Sequence, residues 1–524
     1  MALTQNKKYT PSGLPFLQAQ ILKQIYLYIS KNKSTDINLL SKISDYPPQS
    51  KILNNAIETL VNKNFIIGSF SEGFVVPEDR FDFFQQVIKN FDCNGKVYSS
   101  KIINHINNNS TQVDLFIETK SISDLNRFGV IHKWYDYLED FPYSLIEDKF
   151  IEYKLKNDSI VVDPFCGSGT TMVTANMFHY DAIGFDANPL MTFVSKVKTT
   201  WDIHISKLNE NIRKISDEFI KKVKTLKENS FQNGFLQTMP KKELNQWLSP
   251  RLQQEVSLLK SIISEINDKK IRDLLLMAMS KSCFDASYVS LCPGTTFYPF
   301  REKEEFWNLF TDKIIQIYYD LKAIQIHNHY GKTKTITDTC LNAQSYMKEN
   351  SIDFIITSPP YPNDLEYTRQ TRLELYLLDF VENMNDIQKI KRRMAKGSTK
   401  LIFKESNSEI FIEKFNSVKS ISSKIYEQTK DKNWGFDYPR MVREYFGDMY
   451  LCMKEFFPLM KSDSCFLLVV GDQTIKGVFI PVCDILIELA KEIGYKNCRK
   501  ETYRVRRSTA HNIPLPEDIV ILER

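Results

Sequence analysis

The sequence predicts an α/β protein in which a mostly parallel sheet is covered by helices on both faces. From about residue 120 to the C-terminus, short apolar runs rich in β-branched residues alternate with segments of helical periodicity. Strands that are buried on both faces read as continuous apolar runs, and parallel strands need helical crossovers between them. The runs that predict strands lie at 159–162, 181–185, 333–336, 353–356, 465–470 and 518–522.

Length and composition restrict the class of protein. The 524 residues are 42% hydrophobic and 25% charged, which predicts a globular chain of about two to four domains. The formal net charge of +5 excludes a protein that coats nucleic acid through bulk charge, although local basic clusters remain compatible with it. No Cys-x-x-Cys pair occurs among the nine cysteines, so reduced core thiols are expected, with no disulfide frame and no metal site.

The first ten residues are polar and basic, and no apolar stretch follows them. This pattern does not predict a secretory signal. No window approaches the roughly 18 uninterrupted apolar residues of a membrane-spanning helix. A cytoplasmic protein is therefore expected.

The N-terminal region, residues 1–92, predicts a winged-helix-like domain. Helical periodicity at 14–29, 37–43 and 51–61 is followed by two strand-like runs that a Ser/Glu/Gly turn joins. A small helical docking module fits the same pattern, and the sequence does not tell whether the third helix enters a DNA groove. An Asn-rich stretch predicts a linker at 93–125.

Two later stretches interrupt the alternation of strands and helices. Residues 195–330 are almost entirely helical in pattern, and residues 385–440 are irregular and rich in Lys, Ser and Asn. Both are interpreted as insertions into the sheet domain.

A strand that runs into a Gly-x-Gly turn and a helix, at 159–171, predicts a site for a nucleotide-like ligand. Glycines let the backbone approach a ligand closely, and the free amides of a helix start attract polar or negative groups. Asp186 ends the next strand, near the ~20-residue spacing at which a carboxylate accepts hydrogen bonds from ribose hydroxyls. A purely structural turn is an alternative, and the missing third glycine argues against a dinucleotide. Asp163 at the strand tip complements a cationic ligand.

A second motif ends the strand at 353–356 with Thr-Ser-Pro-Pro-Tyr. Two consecutive prolines cannot continue a sheet ladder, so the chain must leave the strand in a stiff turn whose carbonyls point outward. A polar side chain and a proline carbonyl in such a turn suit an exocyclic base amine, and an aromatic ring beside them suits the base. The amine is a poor nucleophile until hydrogen bonds return its lone pair, so catalysis rests on positioning and electrostatics.

The run Asp-Pro-Phe-Cys-Gly-Ser-Gly-Thr at 163–170 and the run Thr-Ser-Pro-Pro-Tyr at 357–361 resemble motifs I and IV of amino-directed DNA methyltransferases, which modify N4 of cytosine or N6 of adenine. The resemblance covers roughly 130–524. It implies a Rossmann-like methyltransferase domain with helical insertions, S-adenosylmethionine as the cofactor, and double-stranded DNA from which the target base is flipped.

The resemblance also divides the chain. The methyltransferase core comprises a cofactor half at 126–194, a catalytic half at 331–384 and the last strands at 441–524. Target recognition sits in variable insertions in this family, so 195–330 and 385–440 are candidates for reading DNA, as is the N-terminal domain.

Site residues follow from the same resemblance. Asp186 matches the acidic residue of motif II, Asp338 matches motif III by position, and Trp134 and Phe141 lie where an aromatic segment closes over the cofactor. The two aromatic residues fit an ordinary core equally well. The candidate catalytic residues are Ser358, Pro359, Pro360 and Tyr361. The candidate cofactor-binding residues are Asp163, Pro164, Phe165, Gly167, Gly169, Thr170, Asp186, Asp338, Trp134 and Phe141. The candidate DNA-binding residues are Arg369, Arg372, Lys391, Arg392, Arg393, Arg504, Arg506 and Arg507.

Serine at the first position of the Ser-Pro-Pro-Tyr motif is commoner in the family among enzymes of cytosine N4, so this base is preferred over adenine N6. Attack at cytosine C5 is not expected, because the sequence has no Pro-Cys pair. Other open alternatives are an RNA or protein-glutamine methyltransferase and a winged-helix regulator that only senses the cofactor. The resemblance implies a modification enzyme of a restriction-modification or similar system, with a restriction endonuclease as partner; the oligomeric state stays open.

Overall fold

The computed structural model describes residues 67–69, 73–75, 131–137, 141–226, 235–291, 296–297, 305–325, 330–432, 435, 437–507 and 514–524. Two short strands, β1 and β2, pair as the antiparallel hairpin expected near the end of the N-terminal region. The three helices and the linker predicted around this hairpin lie outside the described residues, so the winged-helix-like domain stays a prediction.

The strands of the described residues are β1 (Ile67–Ser69), β2 (Gly73–Val75), β3 (Ile160–Asp163), β4 (Asp181–Phe185), β5 (Val289–Ser290), β6 (Thr296–Phe297), β7 (Thr333–Ile336), β8 (Ile352–Thr357), β9 (Met460–Gly471), β10 (Gln473–Ile475), β11 (Val478–Ile480), β12 (Lys496–Arg507) and β13 (Pro514–Glu523). The α-helices are α1 (Tyr143–Glu152), α2 (Thr170–Met177), α3 (Pro189–Lys198), α4 (Ile205–Val223), α5 (Phe235–Thr238), α6 (Lys241–Trp247), α7 (Pro250–Ser264), α8 (Lys269–Ala286), α9 (Phe306–Ile324), α10 (Tyr367–Gln370), α11 (Arg372–Leu377), α12 (Met384–Arg393), α13 (Asn416–Thr429), α14 (Tyr438–Phe456) and α15 (Val482–Ile493). Short 3₁₀ helices span His132–Trp134, Cys340–Ser345, Thr399–Leu401, Ser408–Ile412 and Phe457–Leu459.

One seven-stranded sheet in the described part of the chain runs in the order β12-β13-β9-β8-β3-β4-β7. Neighbouring strands are parallel in one group of five, β9-β8-β3-β4-β7. Strand β13 is antiparallel to both β9 and β12. The prediction of a mostly parallel α/β sheet is confirmed.

Side chains of the central strands alternate between two hydrophobic cores. Val161 and Phe354 pack into the core that helices α1 to α3 cover, whereas Val162 and Ile355 pack into the core that α14 and α15 cover. Because successive residues of a strand point to opposite faces, a strand covered on both faces must be apolar throughout. The helices thus bury both faces of the sheet, as the continuous apolar runs predicted.

The two stretches interpreted as insertions lie beside this sheet. In the described residues of 195–330 the chain forms helices α4 to α9 and the short pair β5–β6, and its apolar residues join the core on the α1 side. In 385–440 most of α12 and all of α13 are joined by short 3₁₀ helices. Within the described ranges, no helix is both long and apolar enough to cross a membrane.

Candidate active site

A cavity of about 380 Å³ opens at the edge of the sheet where the parallel strands end. The turn after β3, the end of β4, the residues after β7 and the loop after β8 all contribute to its wall. Carboxyl ends of parallel strands are the usual place for a ligand crevice in an open α/β sheet. A further wall comes from residues 392–396 at the end of α12.

The turn after β3 brings Pro164, Phe165, Gly167 and Thr170 to the cavity. Gly169, which precedes α2, has a φ angle of 89°. A Cβ atom at this glycine would lie 2.5 Å from the Oγ atom of Ser195 on α3. Gly169 is therefore required for the left-handed turn and for the close packing of α2 on α3, and its own position is behind the cavity wall.

Asp163 lies beneath this wall and is almost fully buried. Its Oδ1 atom accepts hydrogen bonds from the Thr357 hydroxyl at 2.6 Å and from the backbone N–H of Phe165 at 3.0 Å. Asp163 thus ties the end of β3 to the end of β8, so it links the turn that carries Phe165 to the loop that begins with Ser358.

Asp186 faces the cavity from the end of β4. Its carboxylate accepts hydrogen bonds from the N–H groups of Gly167 at 3.1 Å and Asn188 at 2.8 Å. Burial raises the pKa of this carboxyl group to about 7, although the two N–H groups oppose the rise. The Asn188 side chain caps α3 by accepting from the N–H of Leu190, and Pro189 follows at the first helical position.

Asp338 lies in the cavity wall after β7. It accepts hydrogen bonds from Asn342 at 3.1 Å and Tyr346 at 2.9 Å, and its Oδ1 atom lies 2.9 Å from Nη2 of Arg393. Burial raises the pKa of Asp338, but these donors together with the N–H of Thr339 outweigh it, so the pKa lies below its usual value. The carboxylate therefore stays ionised throughout the neutral range.

The two upstream aromatic residues have different positions. Phe141 lines the cavity together with its neighbours Tyr137 and Pro142. Trp134 is fully buried, and its indole N–H donates to Oδ2 of Asp320 on α9 at 2.8 Å. In this segment, Trp134 packs in the core and Phe141 faces the cavity.

The proline loop after β8 brings Ser358, Pro359, Pro360 and Tyr361 together in the cavity wall. The Tyr361 hydroxyl donates to Oε1 of Glu517 at 2.9 Å and contacts the Val469 carbonyl oxygen at 3.3 Å. Behind the loop, a Cβ atom on Gly397 would lie 2.6 Å from the carbonyl oxygen of Tyr361. The loop is thus held from the sheet side and from the segment that follows α12.

The eight candidate DNA-binding residues separate into groups. Lys391 and Arg372 lie in an internal ion network, where both contact Glu366, at 2.6 and 3.8 Å, and Arg372 also contacts Glu243 at 2.8 Å. Arg369 is exposed on α10. Arg392, Arg393 and Arg504 line the cavity. Arg506 and Arg507 end β12, and their side chains lie outside the described residues.

Sequence reasoning missed several residues of the cavity wall. Tyr137, Asn188, Lys396, Asp448 and Glu517 all line it. A usable signal exists for Glu517, because two adjacent acidic residues come directly before the apolar run at 519–522. The sequence gives no such signal for Lys396 or Asp448, which form a 3.3 Å ion pair between the stretch at 385–440 and helix α14.

The sheet order, the antiparallel strand β13 and a cavity that joins the Gly-x-Gly turn to the proline loop define a Rossmann-like α/β fold of the methyltransferase type. The family N6_N4_Mtase, described as DNA methylase, matches residues 14–192, which include the Gly-x-Gly turn and Asp186. Over these residues the chain is similar to this family of amino-directed DNA methyltransferases, and the curated relatives support the same similarity.

Curated relatives extend the similarity along the chain. Type II methyltransferase M.BsoBI of Geobacillus stearothermophilus is 25% identical over 473 residues, covering 80% of this chain and 92% of the relative. Type II methyltransferase M.MvaI of Kocuria varians is 24% identical over 347 residues, covering 63% and 74%. Type II methyltransferase M.AvaI of Nostoc sp. is 24% identical over 394 residues, covering 70% and 79%.

Proposed function

We propose that the chain transfers a methyl group from S-adenosylmethionine to the exocyclic N4 amine of cytosine in double-stranded DNA. The observation that carries this proposal is a single cavity lined by Phe165, Gly167 and Asp186 on one side and by Ser358 to Tyr361 on the other. A donor and an acceptor held in one cavity react as if intramolecular, which is a major source of catalysis.

The residues of the cofactor side fit S-adenosylmethionine. Asp186 is a buried carboxylate held by two backbone N–H groups, and it suits the hydroxyls of a ribose. Asp338 is an ionised carboxylate in the same wall and suits an adenine amine. Phe165, Phe141 and Tyr137 supply apolar surface. When bound, this cofactor supplies an electrophilic methyl group on a positively charged sulfur.

The residues of the catalytic side fit a base amine. The Ser358 hydroxyl and the Pro359 carbonyl accept hydrogen bonds from the amine and pull its nitrogen toward tetrahedral geometry. The Tyr361 ring stacks on the base, which offsets part of the loss of stacking when the base leaves the duplex. Thr357 and Asp163 hold the start of the loop against β3, so the acceptors are oriented before the base enters.

Two further parts of the proposal rest on similarity. The relatives are Type II methyltransferases, which supports a modification enzyme of a restriction-modification system, with a restriction endonuclease as its partner. Serine at position 358 supports cytosine N4 over adenine N6, because a neutral hydroxyl is the weaker acceptor of the two kinds found at this position.

The experiment is transfer of labelled methyl groups to unmodified DNA, followed by digestion to nucleosides. We expect label in N4-methylcytosine, and we expect Ser358→Ala to lower kcat by about 10²-fold, as for loss of one transition-state hydrogen bond. Ser351→Ala is the matched control, because this partly exposed serine precedes β8 and its hydroxyl donates locally, to the Lys348 carbonyl at 2.6 Å.

Each other result has a defined meaning. Label in N6-methyladenine contradicts the choice of base and leaves DNA methylation standing. Label only in RNA or protein, or no label in any substrate, contradicts the proposed function as a whole.

A further inference from the structure

We propose that Glu517 and Arg504 are a positioning pair that fixes the ring of Tyr361 against the flipped base. This inference rests on the proposed function of the cavity and adds two residues to it. The Tyr361 hydroxyl donates to Oε1 of Glu517 at 2.9 Å. Oε2 of the same carboxylate accepts from Nε of Arg504. Tyr361, Glu517 and Arg504 all line the cavity.

The carboxylate of Glu517 is held on a rigid element. Glu517 lies on β13 opposite Arg504 on β12 and opposite Gly471 on β9, so its backbone is paired on both sides. Its side chain is almost fully buried, with 4% of its surface exposed. A buried carboxylate needs charged or hydrogen-bonding partners, and Arg504 and Tyr361 each occupy one oxygen.

Tyr361, by contrast, belongs to a loop. Its ring orientation depends on two side-chain torsions, and stacking on a base requires the ring plane to be fixed within narrow limits. The hydrogen bond to Glu517 fixes the far end of the ring relative to the sheet, while the proline loop fixes the near end. Glu517 therefore acts on the base through Tyr361, and Arg504 acts by orienting the Glu517 carboxylate.

A double-mutant cycle tests this pathway. We expect Tyr361→Phe and Glu517→Ala each to lower kcat by about 10- to 100-fold, as for a small misplacement of a reacting group. The double variant is expected to be no slower than the slower single variant, because both changes remove the same interaction. Glu517→Gln is expected to recover part of kcat, since its amide oxygen still accepts from the hydroxyl. The dissociation constant for S-adenosylmethionine stays unchanged in all of them.

The matched control is Glu523→Gln. Glu523 lies on the same strand and pairs with an arginine of β12, Arg499, at 2.7 Å, but it does not line the cavity. Its substitution removes an equivalent cross-strand ion pair and leaves kcat unchanged. If Glu517→Ala does not fold, Glu517→Met replaces it in the cycle with Tyr361→Phe, because methionine removes both acceptor oxygens and keeps a side chain of similar length.

Fluorescence supplies a measurement that would not change if Glu517 only stabilised the fold. With 2-aminopurine in place of the methylated base, stacking on Tyr361 quenches emission, so Tyr361→Ala and Glu517→Ala are both expected to brighten the bound duplex. The positioning pair is contradicted if Glu517→Ala has the same kcat and the same emission as the wild type, or if the two substitutions have additive effects in the cycle. In that case the DNA methylation by the wild-type protein still supports the proposed function. A wild-type protein that methylates no DNA overturns both.

Discussion

The protonation of one residue, Asp186, bears directly on the proposed cofactor site. Its carboxyl group faces the cavity, and burial raises its pKa to about 7. A hydroxyl group can donate a hydrogen bond to either oxygen of the ionised carboxylate. The protonated acid is the weaker acceptor, because one of its oxygens carries a proton. Below pH 7 the neutral form prevails, and above pH 7 the carboxylate prevails. The residue that is proposed to accept from the ribose therefore changes state in the neutral range.

We expect the affinity for S-adenosylmethionine to rise as the pH increases from 5.5 to 8.5 and to level off above the pKa of Asp186. The sign follows from linkage: bound hydroxyls stabilise the ionised form, so binding releases a proton below about pH 7 and does not above it. Titration calorimetry at a series of pH values measures the affinity. Well below the pKa, we expect the affinity to rise by up to about tenfold per pH unit.

The control for this profile is Asp186→Asn, which cannot titrate. Its affinity is expected to be lower at pH 8 and to lose the acidic limb, whereas any titration of the ligand itself persists in both proteins. An acidic limb that survives unchanged in Asp186→Asn assigns the pH dependence to another group and contradicts the role of this carboxylate.

At the scale of elements, the segment after α12 supports the proline loop. Gly397 approaches the Tyr361 carbonyl so closely that no Cβ atom fits. Asp364, three residues beyond the loop, has a φ angle of 64°. It accepts hydrogen bonds from the Ser398 hydroxyl at 2.9 Å and from the N–H of Thr399 at 2.8 Å, as well as from the Tyr438 hydroxyl at 2.8 Å. The stretch at 385–440 thus supports the cavity wall that the proline loop forms.

Gly397→Ala is expected to push the loop away from this segment. The new methyl group meets a backbone atom, which cannot rotate aside, so we expect a loss of stability of about 1–3 kcal/mol together with a lower kcat. Gly331→Ala is the control, because its Cβ atom would lie 1.8 Å from the Tyr180 carbonyl oxygen, away from the cavity. Thermal unfolding and methyl transfer measure both. Equal kcat in the two folded variants would contradict the role of this contact.

The elements show which features of the fold and site a sequence can predict. Strands β4 and β7 begin and end where the strand-like runs placed them. The loop of Ser358 follows from two prolines that end a strand. The contribution of Lys396 and Glu517 to the cavity could not be predicted, because it depends on how separate segments dock. Trp134 illustrates the same limit, since its sequence context fits both the core and the cavity.

At the scale of the whole molecule, the ion network around Glu366 connects the two stretches interpreted as insertions to the segment that follows the proline loop. Glu366 follows the proline loop, Lys391 belongs to α12, and Glu243 belongs to α6. Lys391 and Arg372 are largely buried in this network. Arg392, by contrast, is half exposed, contacts Glu405, and has its guanidinium 4.5 Å from the Phe403 ring centroid. Neighbouring cations on one helix therefore have different roles.

Substitution of these two neighbours separates stability from DNA binding. Lys391→Met leaves Glu366 with fewer partners in a mostly buried site. We therefore expect the free energy of unfolding, measured with urea, to fall by about 3 kcal/mol, as for a broken buried ion pair. The salt dependence of DNA binding is expected to stay unchanged. Arg392→Ala is expected to leave the unfolding free energy within about 0.5 kcal/mol of wild type and to reduce the slope of log affinity against log salt by about 1. The reverse pattern, in which Lys391→Met lowers the slope without destabilising the fold, would assign the DNA contact to Lys391 instead.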